Sequence, residues 1–225
     1  MTVVTLHAAR AGRIHRVAFG ARTRLAVLGA ALGLLLARPA SAQSGPPLNN
    51  AQIAEAMHTY FGGEKGAGPI LFGPGLAGIA AGTVMVFRGD EVTRGAGFPM
   101  LGLGLAQTIV GTSLLLATDK RVAKFDAALA KDPVAWKRDE SKRMAGVNTT
   151  LLTLMIVESV FIVGGTVTAV VASQKDCCRT LKGVGIGLAA ESAFTLVFDI
   201  FAKMRAQEYA HSLRRFEPSS GAMKP

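Results

Sequence analysis

Four apolar segments, each long enough to cross a lipid bilayer as a helix, dominate this sequence. They run from about 69 to 87, 95 to 117, 150 to 172 and 183 to 202. A helix needs about 20 apolar residues to cross about 30 Å of hydrocarbon. Because lipid offers no partner for an exposed backbone N–H or C=O group, each segment must be helical inside the membrane. The sequence therefore predicts an all-α membrane protein with four transmembrane helices arranged as two tandem hairpins.

The composition agrees with a membrane protein and argues against a nucleic-acid-binding one. Half of the 225 residues are hydrophobic, the mean hydropathy is +0.36 and only 18% of residues are charged. The formal net charge of +10 comes largely from residues 1–42, which hold six arginines and no acid. The remainder is only mildly basic and has no basic stripe interleaved with aromatic residues, so we expect no nucleic-acid partner.

The first 42 residues have the three parts of a secretory signal peptide in the right order. An arginine-bearing region precedes an apolar run at 25–37, which is followed by Pro39 and by Ala-Ser-Ala at 40–42. Small residues in an A-x-A pattern mark a cleavage site, and an apolar run of this length is too short to span a bilayer. The pattern predicts cleavage before Gln43 and insertion into a bacterial-type inner membrane. An uncleaved anchor and a misassigned start codon are the alternatives.

The segments outside the spans include basic, amphipathic stretches after the second and fourth spans. Residues 43–68 form a linker and a short helix capped by Asn49 or Asn50, with Gly62-Gly63 as its expected end. This helix either lies at the membrane interface or packs on the bundle as a cap. Hairpin 1 covers 69–117, a basic connecting loop covers 118–149, hairpin 2 covers 150–202, and a basic tail covers 203–225. Within the loop, Asp132-Pro133 is a typical helix start.

A short pattern recurs 83 positions along the chain without a gap. Gly-Thr-Val at 82–84 recurs at 165–167, and Gly-Leu-Gly-Leu-Ala at 102–106 recurs as Gly-Ile-Gly-Leu-Ala at 185–189. Because each copy holds two spans, both copies have the same orientation, and a true repeat is related by an axis along the membrane normal. The pattern indicates one hairpin used twice. The alternative is two independent hairpins that share an apolar composition.

Two indicators of membrane orientation disagree. A cleaved signal peptide places Gln43 outside the cytoplasm, so the turns at 88–94 and 173–182 lie inside with five Lys and Arg residues. The other side then carries 14. That distribution is the reverse of the positive-inside rule. We follow the signal peptide and expect a non-cytoplasmic C-terminus.

Polar residues inside the predicted spans are the main candidates for function. Glu158, Glu191 and Asp199 lie within spans three and four, and Gln107 lies within span two. An acid in the bilayer costs about 2.5–3.5 kcal/mol on insertion scales and is a functional candidate for that reason. The structural alternative pairs Asp199 with Lys203 at i+4, and lets Glu158 reach either the water layer or Arg143. Gln107 is placed to hydrogen-bond with Glu191 if spans two and four meet.

Glycines and cysteines complete the candidate residues. Gly78 and Gly82, and likewise Gly183 and Gly187, form GxxxG patterns, which let helix backbones approach closely in lipid. They either seal the bundle internally or form the face of a homo-oligomer. Cys177-Cys178 lack CxxC spacing and are expected to be free thiols, with S-acylation as a weaker alternative.

No catalytic motif is recognisable in the sequence, so we expect neither an enzyme nor a cofactor nor a metal centre. The predicted function is a non-enzymatic scaffold or accessory subunit that acts by helix–helix association. Its expected partners are the lipid bilayer and either a second copy or another membrane protein. The alternative is a small transporter or channel subunit that uses Glu191 with Gln107 and the layer of Glu158 and Asp199.

Overall fold

The computed structural model describes residues 45–218, except for the side chain of Asp176, and this part of the chain is all-helical. The four long helices are α1 (Asn50–Arg88), α2 (Glu91–Lys131), α3 (Pro133–Ala172) and α4 (Arg179–Arg215), with a 3-10 turn at Asp176–Cys178. All four are long and apolar enough to cross a membrane. Residues 45–218 contain no β-strand, although one isolated parallel bridge joins Leu48 to Phe216. The predicted signal peptide, residues 1–42, lies outside the described residues.

Polar side chains start three of the helices. Asn49 and Gln52 form a capping box at the start of α1, with both hydrogen bonds at 3.0 Å. The Asp90 carboxylate accepts a hydrogen bond from the backbone N–H of Thr93 at 2.9 Å and caps α2. Asp132 caps α3, whose first residue is Pro133. These caps satisfy N–H groups that have no partner within the helix.

The helices are longer than predicted because they do not end at the membrane boundaries. The prediction that Gly62-Gly63 ends a short first helix was wrong, since α1 continues through both glycines and through Pro69 and Pro74. The residues on both sides of Gly62-Gly63 are buried against other helices, and this packing outweighs the roughly 1 kcal/mol that each helical glycine costs. The predicted loop at 118–149 is likewise helical, apart from Asp132 between α2 and α3.

The helix ends outside the predicted spans form a second layer, here called the cap, which comprises residues 48–68, 118–149 and 203–217. It has an apolar core of its own. Phe61, Ile53 and Met57 in α1 are fully buried there, so α1 begins as a packed element of a bundle and not as a helix lying on the membrane. The other buried members of this core are Tyr60, Leu129, Trp136, Met144, Ala206, Tyr209, Leu213 and Phe216.

Within the predicted spans, neighbouring helices meet at glycines. The main contacts are α1 with α2, α2 with α4, and α4 with α3. A methyl group added at Gly82 would lie 2.9 Å from the carbonyl oxygen of Gly97, and one at Gly75 would lie 2.8 Å from that of Gly104. Such distances leave no room for a side chain, so the two backbones are in direct contact.

The four glycines of the predicted GxxxG patterns all lie toward α2. A methyl group at Gly78 would lie 3.4 Å from the carbonyl oxygen of Met100. One at Gly183 would overlap the carbonyl of Val92, and one at Gly187 would lie 2.6 Å from the carbonyl oxygen of Ala96. Helix α2 therefore has a glycine-lined partner on each side.

The contacts in the two halves correspond, but not at a single offset. Gly165 meets the carbonyl oxygen of Gly185 as Gly82 meets that of Gly97. Gly82 and Gly165 are 83 residues apart in the chain, whereas Gly97 and Gly185 are 88 residues apart. Across the α2–α4 boundary, Gly95 contacts Thr180 and Gly183 contacts Val92. The same offset of 88 takes Gly95 to Gly183 and Val92 to Thr180, so it relates these two contacts as well.

The gapless repeat is therefore not the arrangement of the structure. At the offset of 83, Gly102 corresponds to Gly185, yet Gly102 has open space beside it while Gly185 packs closely on Gly165. The connection between α3 and α4 is longer than that between α1 and α2, which shifts the second helix of the second half. Identity between 102–106 and 185–189 reflects common small residues and not equivalent positions.

Candidate functional site

A polar stripe runs along one face of α4 through the predicted membrane layer. Glu191, Thr195, Asp199 and Lys203 follow one another at intervals of four residues, which places them on one side of the helix. At about 1.5 Å per residue, the stripe covers roughly 18 Å, from the middle of the predicted span to the cap. Helices α2 and α3 both pack on α4 and supply its polar neighbours.

At the inner end of the stripe, the structure brings Gln107 and Glu191 together. The Gln107 side-chain amide donates hydrogen bonds to the Glu191 carboxylate at 3.4 Å and to the Thr195 hydroxyl at 3.2 Å. Gln107 is buried, and Glu191 is partly buried. This contact joins α2 to α4 by a polar interaction within an apolar layer.

Glu158 and Asp199 lie deeper in the protein than Glu191 and are less well satisfied. Glu158 is 8% exposed and Asp199 is 6% exposed, and one oxygen of each has no hydrogen-bond partner within residues 45–218. Glu158 lies on α3 and Asp199 on α4, and these two helices pack on each other. Ser192, which is 1% exposed, also has an unpartnered side-chain oxygen. Three polar groups without partners therefore lie along these two helices.

The predicted ion pairs of the two acids were wrong. The Lys203 ammonium group donates instead to the backbone carbonyl oxygen of Asn148 at 2.7 Å. The Arg143 guanidinium donates to Glu140, with distances of 2.6 and 2.7 Å to its two carboxylate oxygens. Both bases lie at the cap end of the bundle, and each donates its hydrogen bonds to an acceptor there.

Corresponding positions in the first half explain how this polar region arises. Gly75 and Gly104 are in backbone contact between α1 and α2. At offsets of 83 in the first helix and 88 in the second, they correspond to Glu158 and Ser192. Gly111 packs directly on the backbone of α1, and its nearest neighbours there are backbone atoms. At the offset of 88, it corresponds to Asp199. Positions that hold glycine between α1 and α2 thus hold polar residues between α3 and α4. These polar residues, Glu158, Ser192 and Asp199, are here called the α3–α4 polar seam.

A second polar cluster lies in the cap and was missed by sequence reasoning. The Glu140 side chain is fully buried and makes a two-point ion pair with Arg143. The Arg143 guanidinium lies 5.0 Å from the ring centre of Phe125, 5.3 Å from that of Phe61 and 5.7 Å from that of Tyr60. These are cation–π distances. The i,i+3 spacing of Glu140 and Arg143 was the available signal, but the surrounding rings come from other helices.

Burial and charge in this cluster shift its acid–base equilibria. Desolvation lowers the pKa of Arg143, but the hydrogen bonds and charge of Glu140 more than offset it, so the net pKa is raised. Burial, followed by the charge of Glu140, raises the pKa of Tyr209. Burial, followed by the charge of Glu64, raises the pKa of Tyr60, whose ring stacks on Tyr209 at 4.9 Å. The cluster therefore keeps its arginine charged and both phenols neutral.

A groove of about 550 Å³ opens beside this cluster, between the last turns of α2 and the first turns of α3. Its lining includes both bases, such as Lys124 and Lys131, and acids, such as Asp139. Asp139 is paired with Arg138 on the exposed surface at 3.0 Å. The mixed charges give the groove no clear preference for an anionic or a cationic ligand.

The two cysteines lie at the opposite end of the molecule from the cap. Their sulfur atoms are 3.0 Å apart, and both are free thiols. The hydrogen bond between the two thiols raises the pKa of Cys178. Within residues 45–218, no group of three or more His, Cys, Asp and Glu side chains is arranged to hold a metal ion.

Comparison with protein-family models, with curated proteins and with solved structures found no match for this chain. Its four candidate membrane-spanning helices make it compatible with a multi-pass integral membrane protein.

Proposed function

We propose that this chain is a small, non-enzymatic protein of a bacterial-type inner membrane that acts as a scaffold or accessory subunit. The observation that carries the proposal is the unbroken continuation of the membrane helices into the cap. Helix α1 has 39 residues, which at about 1.5 Å per residue is roughly 58 Å. The hydrocarbon layer accounts for about 30 Å of that length. Such helices rigidly connect a lipid-facing surface to a folded aqueous surface, as a scaffold requires.

The membrane surface that we propose for association is the outer face of α3. This helix packs mainly on α4 and leaves a broad apolar face bare. Its exposed residues include Ile156, Val160 and Val163. Either lipid or another membrane helix covers such a face, and close helix packing in lipid depends on shape complementarity.

Site-specific photo-cross-linking tests the scaffold proposal. A photoreactive residue at Val160 should cross-link to a defined membrane protein or to a second copy, and the adduct should persist after mild solubilisation. The matched control is Met155, a large side chain of α3 that is buried in the bundle and should give only internal products. Recovery of the chain as a lone monomer, with lipid adducts alone at Val160, would count against the proposal.

We further propose that residues 1–42 are removed as a signal peptide, as the order of their arginine-bearing, apolar and Ala-Ser-Ala parts indicates. In this arrangement the two tandem hairpins span the membrane and the cap is non-cytoplasmic. N-terminal sequencing of the purified protein should then begin at Gln43. A mature chain that begins at Met1 would contradict cleavage.

A transporter or channel subunit is the second candidate function, and the polar stripe of α4 favours it. The stripe connects the middle of the bilayer to the cap side, where Lys203 and Asn148 meet. We expect Glu191→Gln to abolish a cation flux in liposomes, with Asp126→Asn on the exposed cap surface as a control. Absence of any flux by the wild-type protein would remove this candidate and leave the scaffold proposal intact.

A further inference from the structure

We infer that Glu158 and Asp199 together form a binding site for a small, hard monovalent cation, H⁺ or Na⁺, inside the predicted membrane layer. This inference goes beyond the scaffold function and does not depend on it. It would also supply the cargo on which the transport alternative rests. The site belongs to the α3–α4 polar seam.

Burial without partners is the first argument. Both carboxyl groups are more than nine-tenths buried, and each has an oxygen without a hydrogen-bond partner within residues 45–218. Ser192 occupies the position that corresponds to Gly104 and therefore faces the level of Glu158, and its hydroxyl is also unpartnered and 1% exposed. A buried charge is very costly unless another charge or a set of hydrogen bonds compensates it. Two adjacent carboxylates increase that cost, and a bound cation reduces it.

Side-chain direction is the second argument. In a helix, every Cα–Cβ bond tilts toward the N-terminus. Helices α3 and α4 are antiparallel, since α3 begins in the cap and α4 ends there. The Glu158 side chain therefore leans toward the cap and the Asp199 side chain leans away from it. Because Asp199 lies nearer the cap than Glu158, the two carboxyl groups converge in the space between them.

Comparison of the two halves is the third argument. The first half holds glycine at the positions that correspond to Glu158, Ser192 and Asp199, and its helices are in direct contact there. Close packing of two helices therefore does not by itself require acids at these positions. In the second half, these three positions all carry oxygen-bearing side chains, which points to a polar ligand.

The number of oxygen ligands favours a monovalent cation over a divalent one. Calcium takes six to eight oxygen ligands, and magnesium keeps several waters in a strict octahedron. The seam is otherwise lined by apolar residues such as Met155 and Leu196, and no cluster of three acidic or other metal-binding side chains exists within residues 45–218. A proton needs only one of the unpartnered oxygens, and the single charge of sodium is compensated by one carboxylate.

Few other titratable groups face the pair. Lys203 lies one turn beyond Asp199 on α4, with its ammonium group held by the Asn148 carbonyl. Glu191 lies two turns before Asp199 and is bound to Gln107 of α2. Helix α2 brings this uncharged amide to the stripe. Changes in cation binding should therefore report on Glu158 and Asp199 themselves.

Carbodiimide labelling of the full chain in lipid nanodiscs tests the inference. Dicyclohexylcarbodiimide modifies protonated carboxyl groups in apolar surroundings, and mass spectrometry locates the adduct. We expect labelling at Glu158 or Asp199 that falls several-fold as the pH rises. If sodium is a ligand, sodium chloride should also reduce labelling several-fold relative to choline chloride, and if the proton is the only ligand, the two salts should give equal labelling at each pH.

The outcomes that would overturn the inference are equally specific. Labelling at neither acid, or labelling that responds to neither pH nor sodium, excludes a cation site. Protection by magnesium or calcium at equal ionic strength, without protection by sodium, contradicts the monovalent assignment. Labelling is measured without transport and without a partner protein. None of these outcomes therefore bears on the scaffold proposal or on the flux experiment.

A variant that restores the residues of the first half separates binding from folding. Glu158→Gly with Asp199→Gly should fold, because the corresponding glycines pack in the first half. It should lose any dependence of its melting temperature on pH or sodium that the wild type shows. Asp139→Asn, at an exposed acid of the cap, is the matched control and should keep that dependence. If the glycine variant melts with the same pH and sodium dependence as the wild type, the acids do not form the site.

Discussion

The Arg143 side chain connects three of the four helices in the cap. Its partner Glu140 lies on α3, while the rings of Phe61 and Phe125 belong to α1 and α2. Arginine suits this position because its flat guanidinium group both pairs with a carboxylate at two points and stacks on aromatic rings. The fully buried Glu140 carboxylate depends on it, since removal of one partner leaves an uncompensated charge.

Replacement of Arg143 should therefore destabilise the cap strongly. We expect Arg143→Ala to lower the free energy of unfolding by about 3–5 kcal/mol, the usual cost of breaking a buried ion pair. The fluorescence of Trp136, the one tryptophan of the chain and a member of the cap core, reports unfolding directly. Arg138→Ala is the control, because its ion pair with Asp139 is exposed. A similar small effect of both substitutions would contradict the assigned role.

The two tyrosines of the chain, Tyr60 and Tyr209, should resist ionisation while the cap is folded. Burial raises both pKa values above the ordinary value of about 10. Below that value their contribution to stability is fully present. As the pH rises beyond it, the unfolded tyrosines ionise first, so stability is lost. Tyrosinate absorbance should appear only well above pH 10, together with the change in Trp136 fluorescence. A titration near pH 10 with unchanged fluorescence would disprove this environment.

Among the helices, contact between the two halves depends on a few glycines. Gly95 and Gly183 face the carbonyl groups of Thr180 and Val92 across the α2–α4 boundary, with no space for a methyl group. Because the packing leaves no space, an added methyl group must push one helix away from the other. The glycines that face outward play no such part, as Gly102 and Gly164 have no atoms within 4 Å of an added methyl.

Alanine substitutions should separate these two classes of glycine. We expect Gly183→Ala to destabilise the protein by about 1–3 kcal/mol through overpacking. Gly102→Ala should be neutral or stabilise it by about 0.5–1 kcal/mol, because alanine is the better helix former. Thermal unfolding in one detergent compares them. Equal melting temperatures for the two variants would show that the α2–α4 contact is looser than the structure indicates.

The start of α3 depends on the cap residue Asp132. Its carboxylate accepts hydrogen bonds from the backbone N–H groups of Val134 and Ala135 at 3.1 and 3.0 Å. We expect Asp132→Ala to cost about 1 kcal/mol, and Asp132→Asn to cost little because asparagine also caps helices well. Denaturant unfolding followed by Trp136 fluorescence measures both. If the two variants unfold alike, the carboxylate does not act as the cap.

For the whole molecule, the cap and the Cys177-Cys178 turn lie at opposite ends of the four helices. The cap therefore lies outside the cytoplasm and the cysteines inside if the signal peptide is cleaved. Many basic residues of the cap belong to folded helices, and several are paired, as Lys65 is with Asp119 at 2.8 Å. The positive-inside rule counts Lys and Arg in short loops near the span ends, and by that count the cap side remains the more basic one.

Cysteine labelling tests this orientation. A membrane-impermeant maleimide should label Cys177, which is exposed, only after the inner membrane is permeabilised. A Ser141→Cys substitution on the exposed surface of the cap, in a Cys177→Ser, Cys178→Ser background, should be labelled without permeabilisation. A C-terminal alkaline phosphatase fusion should be active. The reverse labelling pattern with an inactive fusion would place the cap in the cytoplasm.

The sequence by itself determined the helical class, the number of long apolar helices and the start of α3 at Asp132-Pro133. These follow from local properties, because the lengths of apolar runs and the chemistry of helix caps depend on residues near one another in the chain. The same local evidence singled out Gln107 and Glu191, which the structure joins by a hydrogen bond. It did not reveal that the helices continue beyond the membrane.

Tertiary structure decided the rest, because it brings together residues that no spacing relates. The continuation of α1 through Gly62-Gly63 depends on burial of its aromatic residues against other helices. The shift between the two halves appeared only in the helix contacts, since a longer connection had moved the second helix out of the gapless alignment. The aromatic rings around Arg143 likewise come from other helices, so they depend on how the helices pack. Local sequence sets what each helix is, and packing sets which of its faces carries the chemistry.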